Sequence, residues 1–254
     1  MFFKGTDILQ ATPANAVESH PFFRVYVWEH DWNAETLKAF CSEHFPEVIF
    51  NDLADTYKAD KRLVEKLSVR LLLHLMMPHV PRHAYRATGQ PFLPHSPYSI
   101  SISHTRHVYA VSIGTQPHGI DVEQWSSKAA RVGSQFLSER ENEWLAAMCT
   151  EWNVANSTLP STKEPPLPLM TNDAWYTVLW SAKEAVYKCF SELAPRLKDD
   201  ITLHPKHPSP ATGLLPHIFA HVKQVEGYFP ITYELHPHFV LTICHSLPQA
   251  GLAE

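Results

Sequence analysis

The chain of 254 residues lacks most of the features that mark common protein classes. Its four cysteines, Cys41, Cys149, Cys189 and Cys244, lie far apart and form no CxxC pair. That excludes a dense disulfide framework and leads us to expect a reducing, cytoplasmic setting. Basic residues do not predominate: 21 Lys and Arg against 26 Asp and Glu give a formal charge of -5. No global positive field marks a nucleic-acid partner, so any anion site must be a local cluster. The N-terminal MFFKGTDILQ lacks the apolar stretch of a signal peptide. The longest apolar run, around Leu71–Met77, is interrupted by His74 and is too short to span a membrane. HExxH, GxSxG, GxGxxG and the P-loop are absent. Most of the seventeen histidines sit in Pro-rich turns. His217 and His221 have i, i+4 helical spacing but no evident third ligand, so we do not expect a zinc centre.

What is present is a foldable chain, 44% hydrophobic and 19% charged, long enough for one large domain or two small lobes. FFRVYVW over 22–28 reads as a strand and 34–45 as a short helix. Leu63, Leu67, Leu71 and Leu75 recur every four residues in a helix expected over 55–77 and ended by Pro78. Arg62, Lys66 and Arg70 form a second stripe on it, either a solvated face or part of an anion site. YSISIS and VYAVSI flank the turn-sized HTRH, which predicts a hairpin, and GIDVE over 119–123 predicts a further strand. Ser138 and Glu141 make a capping box for a helix from Glu139 to about Met148. Residues 151–173, with four prolines, read as a loop insertion. A long helix is expected from about Ala174 to Leu193, its apolar stripe running from Trp175 to Leu193 before Pro195. Short strands follow at 200–204, 218–225, 229–235 and 238–244. YSISISHT and FVLTICHS resemble each other, which suggests an internal duplication.

Three segments carry residues suited to chemistry. In a GIDVE strand, Asp121 and Glu123 share one face and Ile120 and Val122 the other. Two carboxylates so close repel unless a cation or a proton intervenes, and oxygen ligands suit Mg²⁺; an exposed acidic edge strand is the plainer alternative. In WSAKEAVYK, Trp180, Glu184 and Lys188 lie along one helical stripe away from the apolar face. Glu184 would complete an acidic triad, and Lys183 and Lys188 would neutralise phosphate oxygens; an ordinary Glu–Lys pair fits the spacing equally. His104 in SISHT stands at the end of a strand beside a turn, facing a cleft or simply bonded within the turn.

SISHT, GIDVE, FLSERE and WSAKEAVYK in this order resemble the 4'-phosphopantetheinyl transferases, specifically the two-lobed surfactin-type enzymes. The motifs cover roughly residues 55–190. The resemblance implies an α+β fold of two similar lobes in pseudo-twofold relation, each a small, mostly antiparallel sheet packed on a long helix. Lobe boundaries would be 1–115 and 116–254, with the lobes meeting near 114–119, the site in the cleft between them, and the chain monomeric. It also implies transfer of phosphopantetheine from coenzyme A to a serine of an apo carrier protein, with Mg²⁺ or Mn²⁺, and no nucleic-acid or membrane partner. By the same resemblance, Asp121, Glu123 and Glu184 match the metal-binding acids, Glu184 also the general base, and Lys188 the lysine that assists at the phosphate. Ser103 and His104 match the coenzyme A phosphate contacts, and Glu141 the glutamate of F-S-x-x-E. Gly89 and Pro91 match the G-K-P turn near the adenine, and Lys61 or Arg62 the basic residue for the nucleotide. Gln90 stands where the family usually has Lys, and 151–173 lengthens the gap between GIDVE and WSAKE.

The nucleophile in such a reaction belongs to the partner, which accounts for the missing nucleophile motifs. A Mg²⁺-dependent pyrophosphate hydrolase would need a way to position water, and none is marked. A non-catalytic carrier-protein or coenzyme A binding module would have no need of three acids and Lys188.

Overall fold

The computed structural model describes residues 22–45, 59–78, 82–158, 171–206 and 217–247, together with Leu53, Thr56 and Tyr57. The fold is α+β, built on antiparallel sheets. The chain divides into two compact units, Met1–Gln116 and Pro117–Glu254.

In the first unit, β1 (Phe23–Glu29), β5 (Val108–Gly114) and β4 (Ser99–Thr105) form a three-stranded sheet in the order β1-β5-β4. Helix α1 (Ala34–His44) starts where the Asn33 side chain accepts the Thr36 N–H at 2.8 Å. Helix α2 (Asp60–Met76) carries the leucine repeat of the helix expected over 55–77 and stops before Pro78, while residues 55 and 58 of that expectation lie outside the described residues. Leu63, Leu67 and Leu71 are buried as expected, together with Ile100, Val111 and Ile113 of the sheet. The β4–β5 hairpin turns on Arg106 and His107 alone, with His107 in the left-handed region at φ 67°. A small hairpin pairs β2 (Ala84–Tyr85) with β3 (Pro91–Phe92). Its turn needs Gly89, whose φ of 86° disfavours a side chain although a Cβ would meet open space.

In the second unit the sheet order is β6-β10-β9-β8-β7. Its strands are β6 (His118–Gln124), β7 (Ile201–Lys206), β8 (His217–Val222), β9 (Phe229–Leu235) and β10 (Phe239–His245). The one-turn helices α3 (Lys128–Arg131) and α4 (Gly133–Phe136) lead to α5 (Glu139–Thr158) and α6 (Asn172–Cys189). The capping box forms: Ser138 N–H donates to Glu141 Oε2 at 2.7 Å and Glu141 N–H to Ser138 Oγ at 3.3 Å. Helix α5 continues ten residues past Met148, into the segment read as a loop, and residues 159–170 lie outside the described residues. Helix α6 buries Trp175, Leu179, Ala182, Val186 and Cys189 but ends four residues before Leu193. Leu193 closes a short 3₁₀ turn and is exposed, because Ala194 turns left-handed ahead of Pro195. His217 and His221 lie on strand β8, not on a helix.

In each unit the first strand pairs with the last strand of a later hairpin: β1 with β5, β6 with β10. The likeness of strand order therefore pairs β5 with β10, whereas the sequence likeness pairs β4 with β10. No described helix is long and apolar enough to cross a membrane.

Lys183 holds the second unit together. Its side chain is 0% exposed. The ammonium donates to the carbonyls of Phe136, Leu197 and Ile201 at 2.7–2.9 Å and to Glu141 Oε2 at 3.0 Å. Glu141 also accepts the Leu203 N–H at 2.8 Å. Burial pushes the Lys183 pKa down, and Glu141 opposes that shift. With every donor used inside the core, Lys183 does not face a phosphate, contrary to the expectation from sequence. Lys183→Met should cost about 3–5 kcal/mol by stranding the Glu141 charge, and Lys183→Met with Glu141→Leu should recover much of that loss. Urea unfolding followed by tryptophan fluorescence measures both. A Lys183→Met protein as stable as wild type, but weak toward coenzyme A, would return Lys183 to the phosphate.

Candidate active site

Gly119, Asp121 and Glu123 alternate onto the face of β6 that meets α6. A Cβ on Gly119 would collide with the Ala185 carbonyl and the Cys189 nitrogen. Glycine thus lets the helix lie close against the strand, and that closeness brings the helix side chains onto the carboxylates. Trp180 Nε1–H donates to Glu123 Oε1 at 3.0 Å, with the indole edge-on to Phe136 at 5.0 Å. Lys188 Nζ donates to Asp121 Oδ1 at 2.7 Å and to the Ile120 carbonyl at 3.1 Å. Behind the acids, Ser181 and Thr242 hydroxyls bond at 2.8 Å, and Thr242 stands opposite Asp121 on β10.

The two acids are therefore not on an exposed face. Asp121 is buried. Burial, reinforced by Asp121 and Glu184 against Trp180 and Lys188, pushes the Glu123 carboxyl up to about 7. Burial and then Asp121 raise Glu184 as well, while Lys188 lowers it. Lys188 reaches across to the strand, and its charge also acts on Glu184 one turn away on its own helix. Glu123 and Glu184, both raised, form with Asp121 a hard-oxygen set whose repulsion a divalent cation would relieve. Among the described residues, no three His, Cys, Asp or Glu side chains stand close enough to count as a formed ligand cluster. The fit to a metal thus rests on donor chemistry and shared charge, with Lys188 supplying the positive charge at Asp121.

The first unit gathers a different set. Arg62 Nη1 donates to Glu65 Oε2 at 2.9 Å, and His104 Nδ1 lies 3.8 Å from Glu65 Oε1. Strand β4 runs on through Thr105, so Ser103 and His104 project to opposite faces. His104 is at the surface beside α2 while the Ser103 side chain is buried. The two residues matched to the coenzyme A phosphate contacts thus stand on different faces of β4. Lys61 is exposed on the first turn of α2. Gln90 accepts the Arg86 N–H through its carbonyl at 2.9 Å, and Pro91 opens β3.

Sequence reasoning missed Glu65 and the bond from Trp180 to Glu123. The i, i+3 spacing of Arg62 and Glu65 signalled the first; nothing short of the packing of α6 on β6 signalled the second. A family model described as the 4'-phosphopantetheinyl transferase superfamily matches residues 117–244. No curated protein matches the chain.

A carboxyl raised from 4.5 to about 7 means that the folded protein holds a proton the unfolded chain has released. Its contribution to stability is full at low pH and is lost as pH rises through about 7. In metal-free buffer, wild type should lose melting temperature between about pH 5 and 8 relative to Glu123→Gln. Parallel melting curves for the two proteins across that range would remove the buried charge cluster.

Proposed function

The chain belongs to the 4'-phosphopantetheinyl transferase superfamily, and on that footing we propose that it moves the phosphopantetheine arm of coenzyme A onto a serine of an apo carrier protein. The observation that carries the reading is the packing of α6 on β6, which sets Lys188 on Asp121 and Trp180 on Glu123. The family match spans both of these elements.

The serine hydroxyl attacks the pyrophosphate phosphorus that bears the pantetheine arm. The bond to the bridging oxygen breaks, 3',5'-ADP leaves, and the serine proton passes to Glu184. Burial and Asp121 raise the proton affinity of Glu184, which suits a general base. Asp121, Glu123 and Glu184 would hold Mg²⁺ or Mn²⁺. The chemistry such a cation supplies is polarisation of the pyrophosphate and stabilisation of charge on the leaving group. Trp180 keeps one Glu123 oxygen turned toward the indole. Lys188, partly exposed, neutralises developing charge on the phosphate. Arg62, Lys61 and His104, with the Gly89–Pro91 turn, are assigned to the nucleotide half of coenzyme A. The reading extends to a monomeric cytoplasmic enzyme of surfactin type, supported by the four free buried thiols and by the strand order common to both units.

Incubation with coenzyme A, Mg²⁺ and apo carrier proteins of fatty-acid, polyketide and peptide synthesis should add the phosphopantetheine mass to at least one of them, and EDTA should prevent it. Glu184→Gln should slow single-turnover transfer by about 10²–10⁴-fold with its melting temperature kept. Lys188→Ala should lower kcat more than it raises KM for coenzyme A. Full transfer in excess EDTA, or folded mutants within about threefold of wild type, would defeat the assignment.

A further inference from the structure

A buried carboxylate among residues expected to hold phosphates has the wrong sign for that task. Glu65 is such a group, its side chain 8% exposed on the inner side of α2. Its two oxygens are divided: Oε2 accepts from Arg62 at 2.9 Å, and Oε1 faces His104 Nδ1 at 3.8 Å. The second distance is too long for a hydrogen bond but close enough for a charge pair when the imidazole is protonated. Arg62, by contrast, is 59% exposed. Helical Arg–Glu pairs ordinarily expose both partners and contribute little. Here the acid is withdrawn from water at a desolvation cost, and its cations stand at the rim.

The neighbours of Glu65 are consistent with this. Tyr109, directly across the hairpin from His104, has its phenol pushed up to about 12 by burial and then by Glu65. Lys66, the next residue on α2, turns away toward Tyr85, whose hydroxyl it meets at 2.9 Å. Glu65 thus serves Arg62 from the helix and His104 from the strand. An exposed Arg side chain loses considerable rotamer freedom when it clamps an anion. A tether already in place removes part of that loss before the ligand arrives.

We infer that Glu65 is a positioning residue for coenzyme A: it holds the Arg62 guanidinium and the His104 imidazole at a spacing set by its two oxygens, so that both are placed to meet the ligand's phosphates. The inference rests on the reading that Arg62 and His104 meet coenzyme A, and it adds the residue that fixes them.

The test is calorimetric binding of coenzyme A, with steady-state KM and kcat, for wild type, Arg62→Ala, His104→Ala, Glu65→Gln and Glu65→Gln with Arg62→Ala. Glu65→Gln should weaken binding about tenfold and raise KM in step, with kcat within about twofold. The double variant should bind more tightly than the sum of the two single losses predicts, because both changes remove the same Arg62 arrangement and only the His104 share remains to be lost. A merely structural role would lower the melting temperature and add to the Arg62→Ala effect, and additivity overturns the inference. If Arg62→Ala and His104→Ala weaken binding while Glu65→Gln binds as wild type does, Glu65 fails and the coenzyme A assignment stands. If Arg62→Ala and His104→Ala also bind normally, that assignment fails first. Should Glu65→Gln not fold, Glu65→Asp keeps the charge one methylene short and enters the same cycle. Non-additivity of about threefold or more with Arg62→Ala then supports the inference, and additivity overturns it.

Discussion

The buried pair between Lys183 and Glu141 is the constraint from which the second unit takes its geometry. An ammonium withdrawn from water demands acceptors on all sides. It finds them at the end of α4, on the first turn of α5, in the segment before β7 and on β7 itself. Glu141 is fixed in turn by Ser138 and by the Leu203 N–H, so the capping box of α5 and the ladder of the outermost strand close on the same carboxylate. Replacing such a pair with apolar residues often costs little stability. Its contribution here is the rotational setting of α6.

That setting decides which side chains reach β6. At about 100° per residue, Trp180, Glu184 and Lys188 lie within roughly 80° of one another on the helix. With Lys183 fixed inward, this stripe faces the β6 carboxylates. Gly119 sets the distance and Lys183 the rotation. Trp180 and Lys188 then meet Glu123 and Asp121 without further adjustment. Two acids that would repel in isolation are held beside a donor and a cation, with Glu184 near enough to raise Glu123 further.

Much of this was legible in the sequence, because the signals are local. The Leu63–Leu67–Leu71 repeat, the Ser138–Glu141 box and the alternation in GIDVE depend on periods of 3.6 and 2 residues and on nearby hydrogen bonds. The strands of the second unit were readable for the same reason. What escaped depends on packing over long separations. Lys183 sits beside Glu184 in a motif of apparent phosphate ligands, yet its acceptors lie between 14 and 47 residues away. Ser103 and His104 read as one pair until the strand proves to run through both, which sends them to opposite faces. Helix α5 outran its sequence signal because the expectation placed a loop from residue 151 onward, whereas the prolines begin at Pro160 and the helix lasts to Thr158.

Among the described residues, three of the acid–cation pairs with a nearly buried acid involve residues of the site motifs or of α2, and the exposure of their cations differs. In each the acid is nearly withdrawn from water: Glu141, Asp121 and Glu65 are 2%, 6% and 8% exposed. Their cations are not alike, with Lys183 at 0%, Lys188 at 26% and Arg62 at 59%. A cation with no exposed surface has no donor left for a ligand, and its pair can act only on the fold. A cation at the rim of a buried carboxylate is different. Its position is fixed from behind, while part of its surface stays open to solvent, where an anion can approach. The buried acid then lowers the ordering cost of binding, at the expense of some net positive charge. Lys188 and Arg62 fall on that side of the line and Lys183 on the other, although all three lie on helices and all three looked alike as basic residues near a site. Exposure of the cation tells the core staple Lys183 from Lys188 and Arg62 where sequence spacing does not. But Arg196, 67% exposed on an 8% exposed Asp200, meets the same description outside the motifs, so the motif position is needed beside the exposure to single out a ligand-facing cation.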